Sequence, residues 1–431
     1  MKKIYEDDWG YKVVRAIADP YIRGAFKKIR YAGRENLPKE GALIFSPNHC
    51  DALLDPLVVL AMRREKMVFV ARADIFNKPK LRKILTFFKI MPIHRVRDGF
   101  RNVINTEDTI EKSIEVLNNL TPFCILPEGR HRSMHSLLPL GKGISRVAVG
   151  ADKALAGRQP VYIVPVGCEY GDYYRYRAST LLVTVGKPIN VSAYMADHAD
   201  HSEAQLFNDI RSLTAEAMKP LIVYIPDDDD YEATWELAKL CSGQIPERDL
   251  QGRFKANREA AEKIGKLRET QPEKAKKLFE NVLDFTRERR RARISLHATY
   301  TRHPLAAALW RTLKTLVCLP FVLAMAIASL PVLAAAEKLA HGAKDRTFRN
   351  SFRLGILIVV WTVLLLVWAV VLFCTVKWYW ALAALVLLIP APLLVYEWVE
   401  QARRCASSWR YLFNSRIRSM KQDLMNQLKT I

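Results

Sequence analysis

The sequence predicts an α/β domain whose mostly parallel, twisted sheet is flanked by helices, followed by a helical region and C-terminal membrane helices. Three observations carry that expectation. Across residues 1–200, short β-branched or aromatic runs alternate with helical stretches, the pattern of repeated strand–helix units. From Ser202 to Arg293, apolar residues recur at helical spacing among many Lys, Arg and Glu. Further on, two apolar runs stand side by side, each of about 20 residues, the length that crosses a hydrocarbon core of roughly 30 Å.

Taken in order, the expected strands are Ala42–Ser46, Met67–Ala71, Phe123–Leu126, Val161–Val166 and Leu181–Val185. Each is a short run bounded by Pro, Gly or charge. Residues 201–300 read as a charged helical extension, with a basic face suited to anionic lipid as the sharper alternative. Within it, the acidic run Asp227–Asp230 reads as a solvated turn that caps the following helix, not as a metal site.

Residues 301–353 hold the apolar stretch Leu316–Ala336, interrupted by Pro320 and Pro331 and basic on both sides, which fits a re-entrant or in-plane membrane segment better than a simple span. Leu354–Val376 and Trp378–Tyr396 form the expected transmembrane hairpin, within 354–398, with Trp378, Tyr379 and Trp380 at the interface. Lys338, Lys344, Arg346, Arg349 and Arg353 precede it. Arg403, Arg404, Arg410, Arg416, Arg418 and Lys421 follow in the tail 399–431, so both ends of the hairpin are expected in the cytoplasm.

Composition narrows the classes. Of 431 residues 50% are hydrophobic and 26% charged, which excludes a disordered chain. A net charge of +22 calls for a polyanionic partner: nucleic acid, an anionic membrane surface or a phosphorylated substrate. No nucleic-acid motif or aromatic-basic platform accompanies it, and the membrane hairpin argues for lipid instead. The seven cysteines are scattered and odd in number, as expected of buried thiols in a reducing compartment. The N-terminus, MKKIYEDDWGYKVVRAIADPYIRG, lacks the apolar core of a secretory signal.

The chemistry is concentrated in four blocks. FSPNHCDALLDP places Asn48, His49, Asp51 and Asp55 just after a strand, where α/β proteins bind ligands. Asp51 is the expected N-cap of the next helix. Asp55 is placed to return to the imidazole and fix its tautomer. IMPIHRVRDG supplies Arg95 and Arg97. FCILPEGRHRSMHSLLPLGKGISR supplies Glu128, Gly129, Arg130, Arg132, Ser133 and Lys142, with arginines able to grip a phosphate by forked hydrogen bonds. YIVPVGCEYG supplies Pro165. His131 and His135 stand four apart without a third ligand, so no metal is expected.

In order and spacing these blocks resemble the glycerolipid acyltransferase family of the bacterial lysophosphatidate acyltransferase type, over about residues 30–190. Two departures stand out. His49 and Asp55 are separated by five residues where the family usually has four, and RHRS is one residue longer than the usual Thr-Arg-Ser. The longer first block is similar to that of the fungal glycerol-phosphate and dihydroxyacetone-phosphate acyltransferases and their bacterial relatives. The resemblance implies His49 as general base with Asp55 as its partner. It implies Arg95, Glu128, Gly129, Arg130 or Arg132, and Lys142 around a phosphorylated glycerol acceptor. An acyl thioester, from acyl-CoA or acyl carrier protein, would be the donor, with no further cofactor. It further implies phospholipid biosynthesis in the bacterial inner membrane, with the catalytic domain cytoplasmic. Lysophosphatidate, glycerol 3-phosphate, dihydroxyacetone phosphate and a lyso-aminolipid all remain open as acceptors.

Overall fold

All five expected runs form strands, and three further strands complete one mixed sheet of eight. The structure, a computed structural model, describes residues 3–93 and 102–429. It divides into two units. The first comprises Met1–Arg23, Ile29–Tyr170 and Leu181–Ile222; the second comprises Gly24–Lys28, Gly171–Thr180 and Val223–Ile431.

Along the first unit run α1 (Trp9–Gly24), β1 (Lys28–Ala32), β2 (Ala42–Pro47), α2 (Leu54–Leu60), β3 (Val68–Arg72), α3 (Pro79–Phe87) and β4 (Ile90–Ile93). There follow α4 (Asn102–Asn118), β5 (Phe123–Cys124), α5 (Gly143–Leu155), β6 (Val161–Tyr170), β7 (Thr180–Val185), β8 (Ile189–Asn190), α6 (Val191–Asp197) and α7 (Glu203–Met218). The sheet order is β1-β7-β6-β2-β5-β3-β4, with β8 on β6. From β6 through β2, β5 and β3 to β4 every pairing is parallel, whereas β7 and β8 run antiparallel to β6.

All six residues of β2 are buried, as a central parallel strand covered on both faces requires. On one face α5 presents Ile144, Val147, Ala148, Ala151 and Leu155, a stripe at helical spacing, to Ile44, Phe123 and Ile163 of the sheet. Each of the larger side chains among them, fully removed from water, contributes about 1.5–3 kcal/mol. This core fixes the register in which β5 stops at Cys124 opposite Phe45, β2 stops at Pro47 opposite Val166, and β6 runs on to Tyr170.

In the second unit, α8 (Tyr231–Ser242), α9 (Leu250–Thr270) and α10 (Pro272–Arg291) form the charged helical region. The turn before α8 departs from expectation. Asp230 is the N-cap residue, but its side chain makes no capping bond. Asp228 and Asp230 instead pair with Arg268, 2.6 and 3.4 Å away, because a cation on the neighbouring helix outbids a lone amide.

Next comes α11 (Pro304–Gly342), a continuous helix that contains Leu316–Ala336 and runs through both prolines. A helix from α12 (Phe348–Ile356) through a π-helical turn at Leu357–Trp361 to α13 (Thr362–Thr375) follows, then α14 (Trp378–Leu388), α15 (Ala391–Leu412) and α16 (Ser415–Leu428). Among the described residues, α11 and the Phe348–Thr375 helix are long and apolar enough to cross a membrane. The pair α14 and α15, bent by 47°, makes a third candidate if it is one span. α13 buries none of its residues, and Leu366 and Val370 are 66% and 65% exposed. Such a surface belongs in lipid, not in water. The π turn places fully buried Trp361 so that its indole N–H donates to the Ile389 carbonyl, 3.0 Å away, tying the two arms of the hairpin together. α16 closes the unit: Ile417 and Leu424 share a core with Leu237, Ile264, Leu278 and Val282 of α8, α9 and α10.

Candidate active site

Where β2 ends, its neighbour β6 continues, and Asn48 bridges the difference. The Asn48 side chain accepts from the Cys168 amide at 2.6 Å and donates to the Cys168 carbonyl at 3.2 Å, standing in for the next rung of the ladder. His49 therefore leaves the sheet at a fixed point, at the C-terminal edge of the parallel strands.

The chain then turns sharply, with Ala52 in the left-handed region at φ 37°, and enters α2. Asp55 sits in the first turn of that helix and is completely buried. Its Oδ2 accepts from His49 Nδ1 at 2.9 Å, the Cys50 amide at 2.6 Å and the Asp51 amide at 2.8 Å. Its Oδ1 accepts from the Tyr170 hydroxyl at 2.5 Å. A buried carboxylate is stable only when its lone pairs are so satisfied. The positive end of α2 adds to the same effect. With Nδ1–H committed to Asp55, the His49 lone pair lies on Nε2, and the ring keeps 15% of its surface exposed.

Asp51 does not cap α2. Leu53 holds the N-cap position, and its apolar side chain makes no capping bond. The reason is position: α2 begins at Leu54, one residue after an N-cap at Leu53, while the Asp55 carboxylate folds back to the amides of Cys50 and Asp51.

The block at 127–142 wraps the backbone of His49. Glu128 Oε1 accepts from the His49 amide at 2.7 Å and Oε2 from the Leu138 amide at 2.9 Å. The Arg132 amide donates to the His49 carbonyl at 3.0 Å, and Ser133 Oγ to the Cys50 carbonyl at 2.9 Å. Gly129, at φ 65°, turns the chain in the left-handed conformation that only glycine adopts without strain. The Arg130 side chain is exposed, whereas Arg132 is half-buried and donates to Ser136 Oγ at 3.0 Å. Lys142, also exposed, precedes α5, and Gly141 bonds back to Pro127. The His131 ring meets His49 edge-on, 5.2 Å between centroids, and His135 Nδ1 lies 2.8 Å from Glu169, both buried. Arg95 and Arg97 lie outside the described residues.

Tyr170 is the residue that sequence reasoning missed. The apolar run Val161–Val166 marks only the front half of β6, which continues to Tyr170 beyond the end of β2. Alternation from Val166 through Cys168 to Tyr170 was the available signal. Burial and the adjacent Asp55 raise the Tyr170 pKa well above that of an ordinary phenol, so it stays a donor.

Burial also lifts Glu128 to about 7, against the two amide bonds that favour its charge. A carboxyl near 4.5 when unfolded and about 7 when folded favours the native state at low pH. That contribution is complete below about 4.5 and disappears as pH rises through 7. Between pH 5 and 8 its loss amounts to about 2–3 kcal/mol. Glu128→Gln removes the titration while losing one acceptor at every pH. The melting temperature of the wild type is expected to fall by several degrees relative to the variant across that range. A constant difference would show that Glu128 does not titrate there.

Comparison with known proteins follows the same residues. Residues 28–169 match the Acyltransferase family model. That segment includes His49, Asp55 and Glu128 and ends one residue before Tyr170. Among solved structures, the 1-acyl-sn-glycerophosphate (LPA) acyltransferase PlsC from Thermotoga maritima is similar at 17% identity, with 49% of this chain and 77% of that one covered and a TM-score of 0.36. No curated protein matches.

Proposed function

We propose that this chain transfers an acyl group from an acyl thioester to a hydroxyl of a glycerol-phosphate-type acceptor, 1-acyl-sn-glycerol 3-phosphate before the others. One observation carries the reading: His49 Nδ1 is fixed on a fully buried Asp55, leaving Nε2 as a base within the segment that matches the acyltransferase model. Nε2 takes the proton from the acceptor hydroxyl as its oxygen attacks the thioester carbonyl, and Asp55 stabilises the imidazolium. The carbon–sulfur bond then breaks. The departing thiolate needs little help, since a thiol has a pKa near 8.5. Arg95, one of Arg130 and Arg132, and Lys142 are the candidates to meet the acceptor phosphate. The donor is acyl-CoA or acyl carrier protein.

The second unit supports membrane residence with its soluble helices on one side. Asn281 of α10 and Gln427 of α16 bond at 3.1 Å, so the chain leaves and returns on the same face of any bilayer it enters. An even number of crossings is then required. The continuous helix α11 and the Phe348–Thr375 helix supply two, which leaves the bent pair α14 and α15 as the re-entrant element. The basic flanks support a cytoplasmic side for that shared face, in a bacterial inner membrane.

The test is an acceptor panel. Purified full-length protein in detergent, given a labelled acyl thioester, is offered lysophosphatidate, glycerol 3-phosphate, dihydroxyacetone phosphate and a lyso-aminolipid separately. Product with lysophosphatidate is expected. Turnover of another acceptor alone would reassign the substrate, and transfer to none of them would overturn the reading.

A further inference from the structure

Between the start of α11 and the middle of α15, within the second unit, lies a cavity of about 240 Å³. Five cations line it, Lys27, Arg177, Arg311, Lys314 and Arg404, against two carboxylates, Glu397 and Glu400. The acids are already engaged. Glu397 pairs with Arg177 at 2.8 Å, and Glu400 with Arg175 and with Arg404, the latter at 3.0 Å. Behind them, Glu247 takes Lys27 at 2.5 Å and Arg404 at 2.9 Å.

Arg311 is left against neutral groups. It donates to Ser408 Oγ and, at 3.2 Å, to His297 Nε2. Burial lowers the His297 pKa to about 4, so at neutral pH its Nε2 is uncharged and accepts. Glu247 also acts on Arg311, but Lys27 and Arg404 already share that carboxylate, so among the described residues this half-buried guanidinium, beside a second one, forms no ion pair of its own. Trp310, which lines the cavity, belongs to the exposed apolar surface of α11: it is 65% exposed, with Leu313 55% and Val317 69%. An occupant therefore presents negative charge inward and hydrocarbon alongside the helix.

We propose that this cavity binds the phosphate of an anionic phospholipid headgroup, with Arg311 as the principal ligand and Lys314 and Arg404 beside it. The proposal rests on the membrane reading of α11 and is independent of the acyl-transfer chemistry. Arg's forked donors suit a phosphate diester, and Trp310 suits the headgroup level of a bilayer.

The full-length protein in neutral detergent, titrated with short-chain phosphatidylglycerol and followed by native mass spectrometry, is expected to bind one lipid saturably. Arg311→Gln should weaken that binding about tenfold or more, the loss of one charge-assisted contact. Lys314→Gln, at an exposed position that folding does not depend on, should weaken it by a few-fold. His49→Ala should bind like wild type, which separates this site from the catalytic one. Equal affinity for phosphatidylcholine, or unchanged phosphatidylglycerol binding in Lys314→Gln and in folded Arg311→Gln, would overturn the proposal. So would inorganic phosphate binding as tightly as the lipid, because the site would then be one for free phosphate.

Discussion

His49→Ala lowers kcat/KM for acyl transfer by roughly 10²–10⁴-fold, the usual worth of a positioned general base, while the protein stays folded. The expectation of folding is structural. The backbone of His49 is held by the Glu128 carboxylate and the Arg132 amide, neither of which needs the ring. Asp55 loses one donor of four and keeps the Cys50 and Asp51 amides and the Tyr170 hydroxyl. The stability cost is then that of one hydrogen bond plus a small, mostly buried ring, on the order of 1–3 kcal/mol. Residual turnover would come from holding donor and acceptor together. Single-turnover rates with the thioester and the accepted glycerol phosphate, beside melting curves of both proteins, are the measurement. A folded variant as fast as wild type would remove His49 from the reaction.

Much of this site is legible in sequence because it depends on short-range geometry. His49 at a strand exit and Asp55 in the first turn of the next helix need only six residues of local structure to meet. Long-range partners are another matter. Tyr170 reaches Asp55 because β6 outruns β2, and strand length relative to a neighbour is decided by packing of the whole sheet. Glu128 is visible as a turn glutamate, yet sequence points it at substrate; the fold turns both its oxygens inward to amides. The same limit applies to the sheet. β4 carries Pro92, which argues against a strand unless it lies at an edge, where the structure places it. β8 is two residues long and defined by its partner β6 alone.

The two capping expectations fail for different reasons. Asp51 and Asp230 both stand where the sequence leads one to expect a cap, and neither caps. The N-cap of α2 falls two residues after Asp51, at Leu53, and the Asp230 carboxylate turns to Arg268. Capping propensity describes a helix with nothing else nearby. In a basic chain of net charge +22, an acidic side chain has many competing cations.

Asp55→Asn tests the second half of the pair and separates its two functions. Asn is the same size, so its carbonyl oxygen takes the place of Oδ2 and continues to accept from Cys50 and Asp51. Its amide then faces the Tyr170 hydroxyl, which accepts instead of donating. The turn survives, but the negative charge that stabilises imidazolium is gone. Should the amide flip, its N–H₂ would face Nδ1, drive the proton to Nε2 and remove the base altogether. Either way kcat is expected to drop roughly 10²–10⁴-fold with KM little changed, because the buried carboxylate is screened from the acceptor. Tyr170→Phe is the comparison that isolates bracing from charge. It removes one bond to a buried oxygen, costs about 1–3 kcal/mol of stability, and leaves the carboxylate charged, so its rate should fall far less. If Asp55→Asn turned over within a few-fold of wild type while melting lower, the carboxylate would serve only to hold the Cys50–Asp51 turn. His49 would then act without an electrostatic partner, and the spacing between the two residues would be a folding constraint, not a catalytic one.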